Sequence, residues 1–378
     1  MNVVLVGSSG RCGIYEYARI LEQGFRELGH RARYIGVQRH DNRDLLRRLR
    51  QVERDDEVVI FEYEPGIFWL GGLVRAMAWL RFCRRKRVLL SVHEIAAEKY
   101  PEFQRIQWHL GRPAARGGLL ELPGLLLAAS DVTRHFLLLR AALALLGWLP
   151  HTVLVHSAKA AQNVGLILSD ERKVRYVPHL VQRLDGDRRA LRRELGLPQD
   201  CFAFIAPGFL FRRKRIVECI RQLPPEAELW VVGTESEYDP GYLEEIQACV
   251  AQSECRERVR LVHDYELTEQ YLMAADAALF FYADGYQSGV ASLAVGAGKP
   301  CIFSDISAFD DLRAAGLTAR TPAELGQAMV DIQETAVYAE LARRALDLRE
   351  QLAPARIAAA YLDADCPAPP PAGPPCAG

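Results

Sequence analysis

The sequence lacks paired cysteines and long uncharged apolar runs. Its nine cysteines are spread over 378 residues, and no two of them form a C-x-x-C motif. We therefore expect neither a disulfide framework nor a zinc site, and we expect a reducing cytosol. The stretch closest to a membrane span, 141–158, lacks formal charges but contains Pro150 and two histidines, which disfavours a span. Because an apolar strand, 3–6, follows Met1 closely, no signal peptide is predicted.

The net charge of −1 hides two opposite balances. Residues 1–180 contain 27 basic and 18 acidic side chains, and the remaining residues contain 20 and 30. A basic half could face phosphates or an anionic membrane surface. A difference between solvated faces explains the asymmetry equally well. Half of the residues are apolar and a quarter are charged, which is typical of a globular protein, and the length suffices for two domains.

Strands and helices alternate along most of the chain, which predicts parallel sheets with helices on both faces. The alternation breaks at 95–150, where the segment 135–149 is apolar nearly all round. Such a helix is either buried under a sheet or lies on lipid. The predicted divisions are a first domain over 1–180, a linker region over 181–199, a second domain over 200–352, a C-terminal helix over 353–365 that could return to the first domain, and a disordered tail over 366–378.

A glycine-rich loop follows the first strand. Residues 7–13 have the spacing G-x-x-G-x-x-G and precede a helix, and this arrangement can bind anions. One alternative is a nicotinamide-dependent reductase or epimerase of the extended short-chain type. That class needs a Tyr-x-x-x-Lys pair, and none of the 14 tyrosines has lysine four residues later. Gly10 and Gly13 therefore belong with the landmarks described below.

The stretch 277–305 reads as strand, polar loop, small-residue helix and strand. In an open α/β sheet, ligands bind beyond the carboxyl ends of strands, where the following helix presents free N–H groups. Those donors and the helix dipole suit a phosphate. Gln287, Ser288, Gly289 and Val290 stand at this helix start. On this stretch alone, an ordinary βαβ unit is an equal alternative.

Several landmarks occur in an order that is more specific than any one of them. They are the loop 10–13, His93 at a strand end, Val155-His156-Ser157, Val177-Pro178-His179, Gly208 followed by Lys214, Gly233 after a strand, and Ala275-Asp276. On these residues the chain, over about 1–360, resembles the GT-B glycosyltransferases, in particular the retaining family 4. The resemblance implies an α/β fold with two doubly wound Rossmann-like domains facing each other across a cleft. It also implies a nucleotide-diphosphate-sugar donor bound mainly by the second domain, without a metal or another cofactor.

The sequence departs from that family's pattern at the donor site. Phe209 and Arg215 replace the arginine and the second glycine of Gly-Arg-x-x-x-x-Lys-Gly, and Arg212 or Arg213 could compensate. Gly285 and Leu293 replace two glutamates, for which Gln287 and Ser288 could substitute. These departures leave the identity of the donor open.

Site residues follow from the resemblance and the strand ends. We predict catalytic roles for His93, which would orient donor and acceptor, and for Lys214, expected in an exposed loop and stabilising the leaving phosphate. A strand-capping histidine and a solvated basic helix start are the alternatives. Glu64 is predicted to bind acceptor hydroxyls. The predicted donor-binding residues are Gly10, Gly13, Arg213, Gly233, Thr234, Asp264, Tyr265, Gln287, Ser288, Gly289 and Val290.

The predicted function is retaining transfer of a sugar to a glycan or lipid-linked acceptor in cell-surface polysaccharide or glycoconjugate biosynthesis. We expect a cytoplasmic protein at the inner face of the membrane, with 84–87 and 135–149 touching anionic lipid, and no nucleic-acid partner. Two alternatives remain: a GT-B-like protein that binds a nucleotide or glycan without catalysis, and a nucleotide-sugar epimerase of the same fold.

Overall fold

The computed structural model divides the chain into two compact units. Unit 1 consists of Met1–Val177 together with Ala358–Gly378, and unit 2 consists of Pro178–Ile357. The residues that the structure describes are 1–10, 12–93, 141–157, 160–161, 164, 171–285 and 287–363. Most of the break predicted at 95–150 and the tail predicted at 366–378 lie outside the described residues.

Unit 1 is built on a six-stranded parallel sheet in the order β2-β1-β3-β4-β5-β6. The strands are β1 (Asn2–Ser8), β2 (Arg31–Val37), β3 (Val58–Tyr63), β4 (Arg87–Val92), β5 (Thr152–Val155) and β6 (Val174–Tyr176). Strands β1 and β3 are largely apolar because an inner strand of such a sheet is buried on both faces. The chain reaches β2 on one side of β1 and β3 on the other. The switch point, where ligands bind in such sheets, therefore lies at the carboxyl ends of β1 and β3.

Three helices of unit 1 follow the first strands: α1 (Gly13–Glu27), α2 (Asn42–Arg48) and α3 (Leu70–Ala78). Helices α1 and α2 pack on the sheet, and α3 packs beside α2. Residues 141–148 are also helical, with Leu146 buried and Leu145 and Trp148 exposed, so this part of the segment 135–149 buries only one face. Across the described ranges no helix is long and apolar enough to span a membrane.

Unit 2 repeats the architecture with the sheet order β12-β11-β10-β7-β8-β9, again all parallel. The strands are β7 (Phe202–Pro207), β8 (Ala227–Val232), β9 (Val259–Val262), β10 (Ala277–Phe280), β11 (Cys301–Ser304) and β12 (Gly316–Ala319). The helices are α4 (Arg188–Glu194), α5 (Ile216–Arg221), α6 (Tyr242–Gln252), α7 (Thr268–Ala274), α8 (Gly289–Gly296), α9 (Pro322–Asp331) and α10 (Thr335–Gln351). A further helix, α11 (Pro354–Leu362), begins in unit 2 and ends in unit 1. The switch point of this sheet lies between β7 and β10.

Residues 181–199, predicted as a linker, lie in unit 2 and include α4. Arg192 of this helix is fully buried, with its guanidinium carbon 5.1 Å from the centroid of the Trp230 ring. Its Nη2 donates to Asp276 Oδ2 at 2.8 Å, and the same oxygen accepts the Ala203 N–H at 2.8 Å. Asp276 immediately precedes β10, so its carboxylate connects α4 to the starts of both β7 and β10.

Removing this carboxylate leaves a buried guanidinium without its charged partner. We expect Asp276→Ala to lower the free energy of unfolding by about 3–5 kcal/mol, as is typical when one partner of a buried ion pair is lost. Arg343, whose exposed side chain pairs with Glu340 and Asp347 on α10, provides the control, and Arg343→Ala should leave the unfolding midpoint nearly unchanged. Urea unfolding followed by tryptophan fluorescence measures both, and equal losses would contradict the assignment.

Candidate functional site

The loops that follow β7 and β8 pass very close together at two buried glycines. Gly233 has a φ of 153°, and a Cβ there would lie 2.1 Å from the Gly208 carbonyl oxygen. Gly208 has a φ of 88°, and a Cβ on it would lie 3.0 Å from both Lys214 Nζ and a methyl group of Val290. Only glycine fits either position without strain. Gly208, Lys214 and Val290 therefore meet at the switch point of unit 2.

Lys214 lies in this junction and not in an exposed loop, so the expectation of an exposed lysine is wrong. Its residue is only 8% exposed, its Nζ donates to the Pro207 carbonyl at 2.8 Å, and the Tyr282 ring centroid is 5.5 Å from Nζ. Burial, with a smaller effect from Arg213, lowers the pKa of Lys214 to about 7. Withdrawing an ammonium group from water disfavours its charged form. Near neutral pH this lysine can therefore gain or lose its proton readily.

Helix α8 begins next to Lys214. Ser288 caps the helix, and its Oγ accepts the Ala291 N–H at 3.4 Å. Tyr282, whose ring faces Lys214, has its hydroxyl 3.4 Å from the same Oγ. A Cβ built on Gly289 would have nothing within 4 Å. The helix start is thus open to a ligand, and Gln287 precedes it in the loop.

Two residues, Arg212 and Arg213, could compensate for the motif arginine that Phe209 replaces. They lie in different environments. Arg212 is paired with Asp239 and Glu245 on the surface, so its charge is already balanced. Arg213 has Nη1 4.0 Å from Asp284 Oδ1 and its guanidinium carbon 4.9 Å from the Phe211 ring centroid. Arg213 thus stays beside the loop that leads to α8, whereas Arg212 is directed toward α6.

Phe209 and Tyr265 stack on each other at this edge of the sheet. Their ring centroids are 4.7 Å apart with planes inclined by 18°, and both side chains are exposed. Thr234 follows the strand between theirs, and its carbonyl accepts the Leu210 N–H at 2.9 Å. Asp264 Oδ1 accepts the Glu266 N–H at 2.9 Å and so shapes the loop after β9. Tyr265 was predicted as a donor-binding residue, but sequence reasoning missed Phe209 because it was weighed only as a missing arginine.

The predicted residues of unit 1 lie at the carboxyl edge of its sheet. Gly10 donates its N–H to Ser8 Oγ at 3.2 Å, which folds the loop back on β1, and Gly13 begins α1. Glu64 follows β3 and is half-buried, and its carbonyl accepts the Ile67 N–H at 2.9 Å. His93 follows β4, and its N–H donates to the Tyr63 carbonyl at 3.0 Å. Arg11, inside the glycine loop, lies outside the described residues.

His93 is bound to a buried acid that sequence reasoning missed. Its Nε2 lies 2.8 Å from Glu62 Oε2, with His93 8% and Glu62 0% exposed. Burial raises the pKa of Glu62 to about 7, against smaller lowering effects of the Ser91 hydroxyl and of His156. The available signal was an acid inside the apolar strand run 58–63, since a buried carboxyl needs a partner.

The described residues contain no cluster of histidine, cysteine and acidic side chains that could hold a metal ion. The triplet Asp185-Gly186-Asp187 serves other purposes. Asp185 Oδ2 accepts from Arg183 Nε at 2.6 Å, and Asp187 Oδ1 accepts the Arg189 N–H at 2.8 Å, capping α4.

Comparison with solved structures decides the fold. Anabaena Alr3699/HepE in complex with UDP matches with a TM-score of 0.69 at 14% identity, over 95% of this chain and 98% of that chain. The chain has the GT-B fold. Sucrose-phosphate synthase from Thermosynechococcus elongatus matches with a TM-score of 0.63 at 14% identity, over 95% of this chain and 96% of that one. WaaG, a glycosyltransferase involved in lipopolysaccharide biosynthesis, matches with 0.57 at 13% identity, over 95% and 98%.

No protein-family model and no curated protein sequence matches the chain. The predicted fold of two doubly wound Rossmann-like units is confirmed by the sheets and by these neighbours. At identities of 13–14% the likeness establishes the fold, and function has to be argued from the residues.

Lys214 should make stability depend on pH. In the unfolded chain its pKa returns to 10.5, so between about pH 7 and pH 10 the unfolded chain binds more protons than the folded one. Stability therefore rises with pH in this window. We expect Lys214→Met to remove part of that rise in the free energy of unfolding, whereas the control Lys173→Met, in unit 1, should keep it. Identical pH profiles for wild type and Lys214→Met would contradict the burial argument.

Proposed function

We propose that the protein is a glycosyltransferase that moves a sugar from a nucleotide-diphosphate donor to a glycan or lipid-linked acceptor, with retention. The observation that carries the proposal is the junction of Gly208, Lys214 and the start of α8 at the switch point of unit 2. It combines a side-chain cation, close backbone approach and free helix N–H groups. These are the donors that a diphosphate needs.

The lowered pKa of Lys214 fits a site whose charge develops during the reaction. A diphosphate near Nζ favours the ammonium form, so donor binding would take up a proton near neutral pH. As the sugar leaves, negative charge grows on the phosphate, and the ammonium group with the amides of 288–290 would stabilise it. Phe209 and Tyr265 add a flat aromatic surface at the same sheet edge.

Unit 1 would serve the acceptor and the reacting sugar. His93 is held at the carboxyl end of β4 by Glu62, and Glu64 lies at the end of the neighbouring β3. We assign His93 to orient the reacting groups and Glu64 to bind acceptor hydroxyls. One structural neighbour, HepE, is solved with UDP and with UDP-glucose, which makes uridine nucleotides the first donors to test.

Two alternatives remain, and one of them has a specific observation in its favour. Arg212 is paired with Asp239 and Glu245, so it does not compensate for the arginine that Phe209 replaces. This favours a GT-B-like protein that binds a ligand without catalysis. An epimerase of the same fold would release an altered sugar without any acceptor. Incubation with UDP-glucose, with and without glycan acceptors, followed by analysis of free and transferred sugar, separates all three.

The donor site is tested by a matched pair of substitutions at Gly289, where an added Cβ meets nothing. Gly289→Ala should bind UDP like wild type, whereas Gly289→Asp sets a carboxylate against the phosphates and should weaken binding at least about tenfold, or 1.4 kcal/mol. Calorimetric titration with UDP, GDP and ADP measures the affinities. Equal affinities in both variants would place the nucleotide elsewhere.

A membrane contact is a further part of the proposed function. Phe82 and Trp148 are 53% and 54% exposed, and the guanidinium carbon of Arg81 lies 5.7 Å from each ring centroid. Exposed aromatic rings beside arginines suit the surface of an anionic bilayer. Arg85 is exposed next to them, but Lys86 is buried and donates to the Asp56 carbonyl, so it is not a lipid contact.

This aromatic and basic surface precedes β4 and β5, so it lies at the amino edge of the sheet. His93 lies at the carboxyl end of β4, about 20 Å away along a strand of six residues. A bilayer bound here would be remote from His93. The acceptor group would therefore have to extend from the lipid by that distance, which favours a long glycan over a short lipid headgroup. In this proposal the aromatic and basic surface contacts the inner face of the membrane.

Co-sedimentation with vesicles tests the membrane contact. Binding to vesicles that contain phosphatidylserine should exceed binding to neutral vesicles and should fall with salt, since each well-placed arginine contributes about 1 kcal/mol of screened attraction. Arg85→Glu and Trp148→Ser should weaken it, whereas Arg256→Glu, an exposed arginine of unit 2, should not. Absence of binding to either vesicle would remove this part of the proposal.

A further inference from the structure

A buried polar cluster surrounds His93 in unit 1, and the proposed mechanism uses only part of it. We call it the His93 cluster. Its members are Tyr17, Glu62, Ser91, His93, His156 and Tyr361, all of them buried. Five come from α1 and the carboxyl halves or ends of β3, β4 and β5. The sixth comes from α11, the helix in which the chain passes from unit 2 to unit 1.

The His93 ring has two neighbouring rings in addition to its bond with Glu62. Tyr17 meets it edge to face, with centroids 4.8 Å apart and planes inclined by 79°. His156 stacks beside it, with centroids 5.0 Å apart and planes inclined by 28°. Glu62 supplies one hydrogen bond at 2.8 Å through Oε2, and its Oε1 has no hydrogen-bond partner among the described residues. Ser91 Oγ lies 3.5 Å from His93 Nε2. The two rings act together with these polar groups to hold the orientation of the imidazole.

The Tyr361 hydroxyl lies close to polar atoms of both Tyr17 and His156. Its hydroxyl lies 2.9 Å from the Tyr17 hydroxyl and 3.1 Å from His156 Nε2. It also lies 2.9 Å from Ser91 Oγ, which is itself 2.8 Å from His156 Nε2. One phenol oxygen is thus bonded to the edge neighbour of His93, and through Ser91 it is connected to the stacked neighbour.

The donors and acceptors of the cluster can be assigned consistently. His156 Nδ1 lies 2.9 Å from the Val177 carbonyl, which only accepts, so Nδ1 carries the proton and Nε2 of the neutral ring accepts. Each hydroxyl has one proton to give. Each proton is used once if Tyr17 donates to Tyr361, Tyr361 donates to Ser91, and Ser91 donates to His156. Loss of the Tyr361 hydroxyl would therefore break the chain of bonds at its centre.

We propose that Tyr361, on the C-terminal helix, is a positioning residue for His93, and that this helix is part of the candidate active site. The catalytic consequence rests on the proposed function, whereas the positioning itself does not. Tyr361→Phe keeps the ring and its packing against Phe25, with centroids 6.3 Å apart, but removes all three polar contacts. Partly satisfied buried networks lose their definition, and small displacements of a reacting group are costly.

The test reads His93 directly. Long-range proton–nitrogen correlation spectra of the full chain, labelled at histidine, report the tautomer and mobility of each ring, with His93→Gln used for assignment. We expect the His93 signals to shift and broaden in Tyr361→Phe and also in Tyr17→Phe, which removes the other end of the same bond. Tyr338→Phe, which removes a tyrosine hydroxyl in unit 2, should leave them unchanged.

Kinetics give a second readout once a donor is known. In Tyr361→Phe we expect kcat to fall by roughly 10- to 100-fold, with the KM for the donor within about twofold of wild type, since the donor site in unit 2 is untouched. Altered His93 signals without any turnover of sugar donors in wild type would support the positioning and overturn the proposed function. Unchanged His93 signals in both Tyr361→Phe and Tyr17→Phe would overturn the positioning, whatever the activity.

Discussion

Withdrawal of ionisable side chains from water at the carboxyl ends of the two sheets is the constraint on which both sites depend. In unit 1, burial raises the pKa of Glu62 to about 7, and in unit 2 it lowers the pKa of Lys214 to about 7. The pKa of the acid is thus raised toward neutral pH, and the pKa of the base is lowered toward it. Each needs a specific partner to remain inside the fold: His93 for the acid and the Pro207 carbonyl for the base. A ligand that changes the local charge would move these protons readily.

The fold could be predicted from the sequence because its signals are local. Parallel strands with two buried faces leave apolar runs, and glycines mark the loops after β1, β7 and β8. The junction at Gly208 could also be anticipated, since a glycine after a strand and a lysine a few residues later are visible as spacing. The burial of Lys214 could not, because the run 211–215 looks like a solvated basic turn until Tyr282 is placed beside it.

Long-range partners set the limit of prediction in unit 1. Tyr361 is 270 residues from Ser91 and 344 from Tyr17 along the sequence. Nothing in the local pattern of α11 indicates that its hydroxyl makes buried hydrogen bonds. An acid within an apolar strand was a weak signal that Glu62 has a buried partner. The partner, His93, follows the neighbouring strand β4, so it could not be identified from the local sequence around Glu62. One departure from the family pattern carries a backbone cost. Arg215 occupies the pattern's glycine position with a φ of 51°, a left-handed conformation that costs a side chain energy.

The contribution of α11 to unit 1 has a consequence for the order of folding during synthesis. The ribosome releases all six strands of the first sheet before it makes unit 2, yet the hydroxyl that completes the His93 cluster arrives near the end of the chain. The His93 cluster therefore lacks its Tyr361 contacts while about 180 further residues emerge, which takes on the order of ten seconds or more at ordinary rates of synthesis. A nascent chain stalled before Ala358 would carry all six strands of the first sheet, but its His93 cluster would lack the Tyr361 hydroxyl.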